Sequence, residues 1–213
     1  HDPLRVLFPL PPAGEAMTAA LVTISGGLVG GDEMAVRVSA EAGTRALVTA
    51  QAAEKVYRSA GADCRIGMEL AAGPGSWLEW LPQETIIFEG ARFRRRTRID
   101  AVLGARVLAG EILAFGRAAM GEKLTTGLIR DAWELRRSGR LVWADALHME
   151  GGLVGPLAHP AGLGGAGACA TAVYLAPDAA ERLDFARELL GEGEDGLRAA
   201  ATVVNGVLVA RWI

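Results

Sequence analysis

The side chains of this 213-residue chain best equipped for chemistry are carboxylates: Asp32, Glu54, Glu84, Glu111, Glu122 and Asp145. Three of them interrupt apolar patterns. In the stretch Trp77 to Ala91, an extended backbone puts Leu78, Trp80, Pro82, Glu84, Ile86 and Phe88 on one face. Glu84 is the one charge on that face, and a carboxylate among large apolar groups is costly without a partner or a proton. Two readings stand. Glu84 caps a turn or pairs with an arginine, or it lines an internal polar path or partner surface. Pro82 can shift the register by one residue and carry Glu84 to the polar side. Glu111 lies inside ARVLAGEILAF, which is apolar on both faces and predicts a strand buried on both sides. Asp145 alternates with Leu141, Trp143 and Leu147, so it is internal if that face packs.

Asp32 closes SGGLVGGD, whose four glycines call for unusual backbone angles or close chain approach. No Lys-Ser/Thr follows, and the Asp32 charge would repel a phosphate, so a tight structural turn is favoured, with Asp32 at its rim as a contact residue. In RFRRRTR, Arg92, Arg94, Arg96 and Arg98 share one strand face. They read as a solvated edge that blocks aggregation or as a docking stripe for an acidic protein. A nucleic-acid patch ranks third, because Phe93 is the sole interleaved aromatic. Glu54, Tyr57 and Arg58 fall in QAAEKVYRSAG, which predicts a loop or one helical turn showing a charged surface.

Other chemistries lack equipment. The histidines are His1, His148 and His159, with no metal-ligand spacing between them and the cysteines. Cys64 alternates with Ile66, Met68 and Leu70 and reads as a buried core thiol. Cys64 and Cys169 are far apart, which fits a reducing cytosol rather than a disulfide framework. No G-x-S-x-G occurs. GLGGAG at Gly162 to Gly167 has neither a preceding strand nor a capped helix, so its match to a dinucleotide fingerprint is chance. What remains is the profile of a binding or assembly protein that passes a cation weakly at most.

The elements that must position these residues are mostly strands. A net charge of −3 argues against a nucleic-acid or membrane-surface binder, and 28 glycines suit a turn-rich β protein. No apolar run reaches transmembrane length, and no signal-peptide pattern opens the chain. His1 to Glu15 reads as a loop, Gly151 to Ala168 as a mobile loop. Pro177 to Glu181 reads as a capping box with Asp178 as N-cap, starting a helix that Gly191 ends. Val203 to Leu208 carries a hairpin signal at Asn205-Gly206. Turns at EAGT, AAGPG, VLGA and RSGR recur with Gly43, Gly73, Gly104 and Gly139. The expectation is a mainly β, stacked-sheet, β-helix-like (solenoid-type) single domain over residues 1–213, with one or two α-helices.

GGLVGGD (Gly26–Asp32), AEKVYRS (Ala53–Ser59), LEWLPQETIIFEGA (Leu78–Ala91), EILAFGRAAMGE (Glu111–Glu122) and GRLVWADAL (Gly139–Leu147) together resemble the urease accessory protein UreD (UreH) family. They follow the family's order and cover most of Leu21 to Glu150. LEWLPQETI is the specific part, and NGVLVAR (Asn205–Arg211) extends the likeness. Family members are usually longer at both ends. The resemblance implies a cytoplasmic non-enzyme of mainly β, helix-like stacking. It implies a scaffold that binds apo-urease and, with UreF and the GTPase UreG, supports nickel insertion, with a dimer within the accessory complex. It also implies an internal polar tunnel, which Glu84, Glu111, Asp145 and Asp32 could line for transient Ni²⁺, with no tightly bound cofactor. Carboxylates hold Ni²⁺ more weakly than a His/Cys set, which suits passage. Arg92, Arg94, Arg96, Arg98, Glu54, Tyr57 and Arg58 are the partner-binding candidates. The alternatives are a β-helix carbohydrate-active enzyme using the arginine stripe with Glu89, and an interaction module with no metal role.

Overall fold

The computed structural model describes residues 3–191 and 196–213; His1 lies outside them. Strand β1 (Leu4–Leu7) pairs antiparallel with β2 (Met17–Thr23), so the opening segment contains a strand where a loop was expected. A turning path then repeats. β3 (Glu33–Ala40) turns a corner into β4 (Arg45–Ala50) and β5 (Glu54–Val56). β6 (Cys64–Ala72) turns into β7 (Trp77–Leu81) and β8 (Thr85–Ile87). β9 (Arg92–Ala101) turns into β10 (Arg106–Phe115). Successive passes stack in parallel, β3 on β6 on β9 and β4 on β7 on β10. This is the expected solenoid-like stack, of about three turns.

Two sheets result. One is five-stranded in the order β12-β11-β9-β6-β3, where β11 (Thr126–Arg137) and β12 (Arg140–Gly152) form a hairpin. The other is ten-stranded and runs β1-β2-β4-β7-β10-β13-β15-β14, with β5 and β8 alongside. Its far end holds β13 (Ala168–Leu175), β14 (Ala199–Val204) and β15 (Val207–Trp212). Asn205 and Gly206 both take positive φ between the last two, as the hairpin signal requires. At the corners the stacked residues Ala40, Ala72 and Ala101 are all small and buried, which lets each pass turn tightly over the last. RSGR is different. It closes the β11–β12 hairpin inside one sheet and makes no corner.

Four local expectations are corrected. QAAEKVYRSAG contributes β5 rather than a helical turn, because parallel pairing with β8 gives its backbone partners and Val56 is wholly buried. Strand β10 buries one face, while Ile112 on the other is exposed. The helix α2 (Leu183–Leu190) begins after Arg182, not at Asp178, whose carboxylate is instead taken by Arg106, Tyr174 and Arg182. Gly191 does end it, at φ 62°. Finally, residues 151–168 hold the short helix α1 (Val154–Ala158) and fold onto the core through Leu153 and Leu163, both buried.

One glycine is tied to the stacking directly. Gly127, the second residue of β11, has φ +147°, and a Cβ there would meet the Ala91 carbonyl oxygen at 2.5 Å. Gly127→Ala is expected to destabilise the protein by about 1–3 kcal/mol, since strain and backbone clash act together. Urea unfolding reads this directly, and an unchanged midpoint would show that β11 can shift at no cost.

Candidate functional site

The inward face of the five-stranded sheet should be apolar, and along one row it begins so. Met34 on β3 stands beside Ile66 on β6, but Arg95 on β9 and Asp131 on β11 continue the same row. Across the interior, β10 turns Glu111 inward. All three are buried, with side chains of Glu111 and Arg95 only 1% and 4% exposed. The pairing is tight. Arg95 Nε donates to Asp131 Oδ1 at 3.0 Å and Nη2 to Oδ2 at 2.9 Å, a bidentate fork. Nη1 donates to Thr85 Oγ1 at 3.1 Å. Nη2 also lies 2.9 Å from Glu111 Oε2, an ion pair without an aligned N–H, so that oxygen makes no hydrogen bond. Glu111 Oε1 accepts from Trp80 Nε1 and Thr97 Oγ1, each at 3.1 Å.

The electrostatics follow from burial and neighbours. Burial works against the Arg95 charge, but the Asp131 and Glu111 carboxylates outweigh it and hold the guanidinium above its ordinary value. Burial pushes the Glu111 carboxyl up to about 7; Arg95 opposes the rise and Asp131 adds to it. The carboxyl of Glu111 therefore exchanges its proton near neutrality.

Arg95 also forms one wall of a cavity of about 190 Å³ between the sheets. Trp80, Thr85 and Met34 line it further, and Thr23 and Glu54 stand on it near the Ser25–Gly27 turn. Thr23 Oγ1 donates to Glu54 Oε2 at 2.7 Å, and burial raises the Glu54 carboxyl from its ordinary value. One cavity thus touches both a carboxylate and the buried arginine.

The remaining candidates are not gathered there. Pro82 breaks the strand: β7 ends at Leu81 and β8 starts at Thr85, so Thr85 and Ile87 face the core and Glu84 does not. The shared face expected across residues 78–88 is therefore corrected to the shifted register. Glu84 is half-buried and makes no side-chain hydrogen bond or ion pair among the described residues. Asp145, expected internal, is 39% exposed at its side chain and pairs with Arg211. Asp32 caps its own turn, accepting from Val29 N at 2.8 Å. Tyr57 donates to the Gly26 carbonyl at 2.7 Å and packs edge-on against Phe88. Arg58 bridges to Ala91 through its backbone and lies against Gly90.

Arg92, Arg94, Arg96 and Arg98 do share the outward face of β9. Asp63 takes Arg92 at 2.7 Å and Arg94 at 2.5 Å, and Glu134 takes Arg96 and, at 3.6 Å, Arg98. The residues that sequence reasoning missed are Arg95, Asp131, Thr85 and Thr97. A signal was there. Alternation along RFRRRTR sets Phe93, Arg95, Thr97 and Ile99 opposite the outward arginines.

The UreD urease accessory protein model matches residues 1–213. The chain belongs to the UreD family. The urease accessory protein UreD of Magnetococcus marinus is 50% identical over 215 residues, covering 100% of this chain and 74% of that protein. UreD 1 of Methylobacterium radiotolerans is 46% identical over 98% of this chain and 72% of its own length. UreD of Granulibacter bethesdensis is 44% identical over 98% and 86%. These UreD relatives are named accessory proteins, not enzymes. Among the described residues of this UreD-family chain, no group of three or more His, Cys, Asp or Glu could hold a metal ion. No helix of the described residues is long and apolar enough to cross a membrane.

Proposed function

We propose that this chain is a cytoplasmic, non-catalytic scaffold in urease maturation. It engages apo-urease and works with UreF and the GTPase UreG to load nickel into the urease active site. The observation that carries the reading is the family match over the whole chain, joined to relatives at 42–50% identity that are named urease accessory proteins. Nickel is cargo in this reading. The cavity beside Glu54 has room for an ion, and a lone carboxylate binds Ni²⁺ more loosely than a His/Cys set would, which suits release. Glu111 is less available, because Arg95 lies against its Oε2.

The scattering of Asp32, Glu84 and Asp145 favours a second reading, an interaction module with no metal role. Two measurements separate them. In a strain lacking this chain, urease should accumulate with its nickel content reduced at least tenfold; normal nickel occupancy would defeat the proposal. Glu54→Gln should then lower nickel loading while apo-urease capture persists. Full activation by that variant selects the module without a metal path.

A further inference from the structure

Among the described residues no element packs on the outward face of the five-stranded sheet, and its charge runs against that of the whole molecule. The chain carries 22 Lys and Arg against 25 Asp and Glu. Yet Arg65, Arg94, Arg96 and Arg130 surround a shallow depression on this face, with Glu33 and Glu134 the two acids at its margin. Register places them on adjacent strands: Glu33, Arg65, Arg94 and Arg130 form one continuous row across β3, β6, β9 and β11. Asp63 holds Arg94 and Glu134 holds Arg96, but Arg65 and Arg130 are less well neutralised. The Arg65–Glu33 pair is long, at 3.5 Å, between side chains that are both more than half exposed. Arg130 makes no ion pair or side-chain hydrogen bond among the described residues.

The floor of the depression adds a second observation. Gly67 sits in mid-strand on β6, between Arg65 and Glu69, at a backbone φ that any residue accepts. A Cβ there would meet only the Met34 carbonyl oxygen, at an ordinary 3.9 Å. Neither conformation nor internal packing calls for glycine. In a strand interior such a glycine weakens the strand, and its missing side chain leaves room for a ligand or another backbone to approach closely. Its row reads Ala35, Gly67, Arg96 and Ala132 across β3, β6, β9 and β11.

We infer that this face docks an acidic segment of a partner protein, laid across the strands over Gly67 with its carboxylates on Arg65 and Arg130. Arginine suits that role because its planar fork meets carboxylates bidentately. The inference rests on the scaffold reading and specifies where such a scaffold takes hold.

The test uses the full chain with two probes of matched charge, a labelled glutamate-rich peptide and a single-stranded oligonucleotide, followed by capture of apo-urease. The peptide should bind, weakening about tenfold between low and moderate salt, as exposed charge pairs do. Gly67→Val should cut peptide binding about tenfold or more by blocking backbone approach, while leaving thermal stability equal or higher, because valine favours strands. Arg65→Glu with Arg130→Glu should abolish it. No peptide binding, binding indifferent to Gly67→Val, or preference for the oligonucleotide would each overturn the inference. Apo-urease captured equally by parent and Gly67→Val would overturn it too while sparing the scaffold reading; failure of the parent to capture apo-urease would instead strike the scaffold reading.

Discussion

Arg95→Met is expected to destabilise the protein by about 3–5 kcal/mol, because it strands two carboxylates away from water without their cation. The geometry supports a value at the upper end. Asp131 loses both arms of a bidentate fork, and Glu111 Oε2, which has no hydrogen bond, loses its one charge contact. Thr85 loses a donor as well. Urea unfolding with an unchanged slope should show the loss as a lower midpoint. The triple variant Arg95→Met, Asp131→Leu, Glu111→Leu should recover most of it, since apolar groups of similar volume replace buried ions at little cost. Strong non-additivity is thus part of the expectation. A single variant as stable as the parent would mean that the cluster is not dry.

The second large effect is a fall in stability as pH rises from about 4.5 to 7. The Glu111 carboxyl titrates near 7 in the folded protein against an ordinary value of 4.5. Between those values the native state keeps a proton that the unfolded chain has released. The stabilisation is fully present below 4.5, declines as pH rises, and is gone once pH passes the folded value. A shift of that size corresponds to something on the order of 3 kcal/mol. Glu54, raised mainly by burial, adds in the same direction. Carboxylates held low act the other way and at lower pH. Asp63, held chiefly by Arg94, and Glu134, held chiefly by Arg96, withdraw stability as pH falls through their depressed values. Glu111→Gln should therefore flatten the profile between pH 5 and 8. A parent whose stability is level across that range would contradict the assignment.

Much of the architecture was legible because solenoid stacking repeats its instructions. Alternation in Cys64–Ala72 and the corner turns at EAGT and VLGA are local signals, and each coil restates them. Glu111 was legible for the same reason: a charge inside an apolar alternation has few explanations. Asp145 misled because the same alternation occurs on β12, the edge strand of the five-stranded sheet, where the face meets Arg211 across the gap instead of closing over. Arg95 was masked by its neighbours. Four outward arginines make a fifth look like one more surface charge, and only its parity with Phe93 and Thr97 sets it apart. Asp131 carried no local signal, since its role depends on β11 lying beside β9.

The interruption at Pro82 has a mechanical corollary. Trp80 stands opposite Ala109, and Thr85 opposite Leu113, so residues 81–84 must span what 110–112 span on β10. One side of the seam is a residue too long, and proline supplies no N–H with which to stitch it. Residues 81–84 accordingly add no registered pair to the ladder with β10. Pro82 lines both the interior cavity and a second, apolar depression bordered by Leu81, Ile112 and Trp212, so the interruption in the ladder is also the place where one side chain is shared between inside and outside.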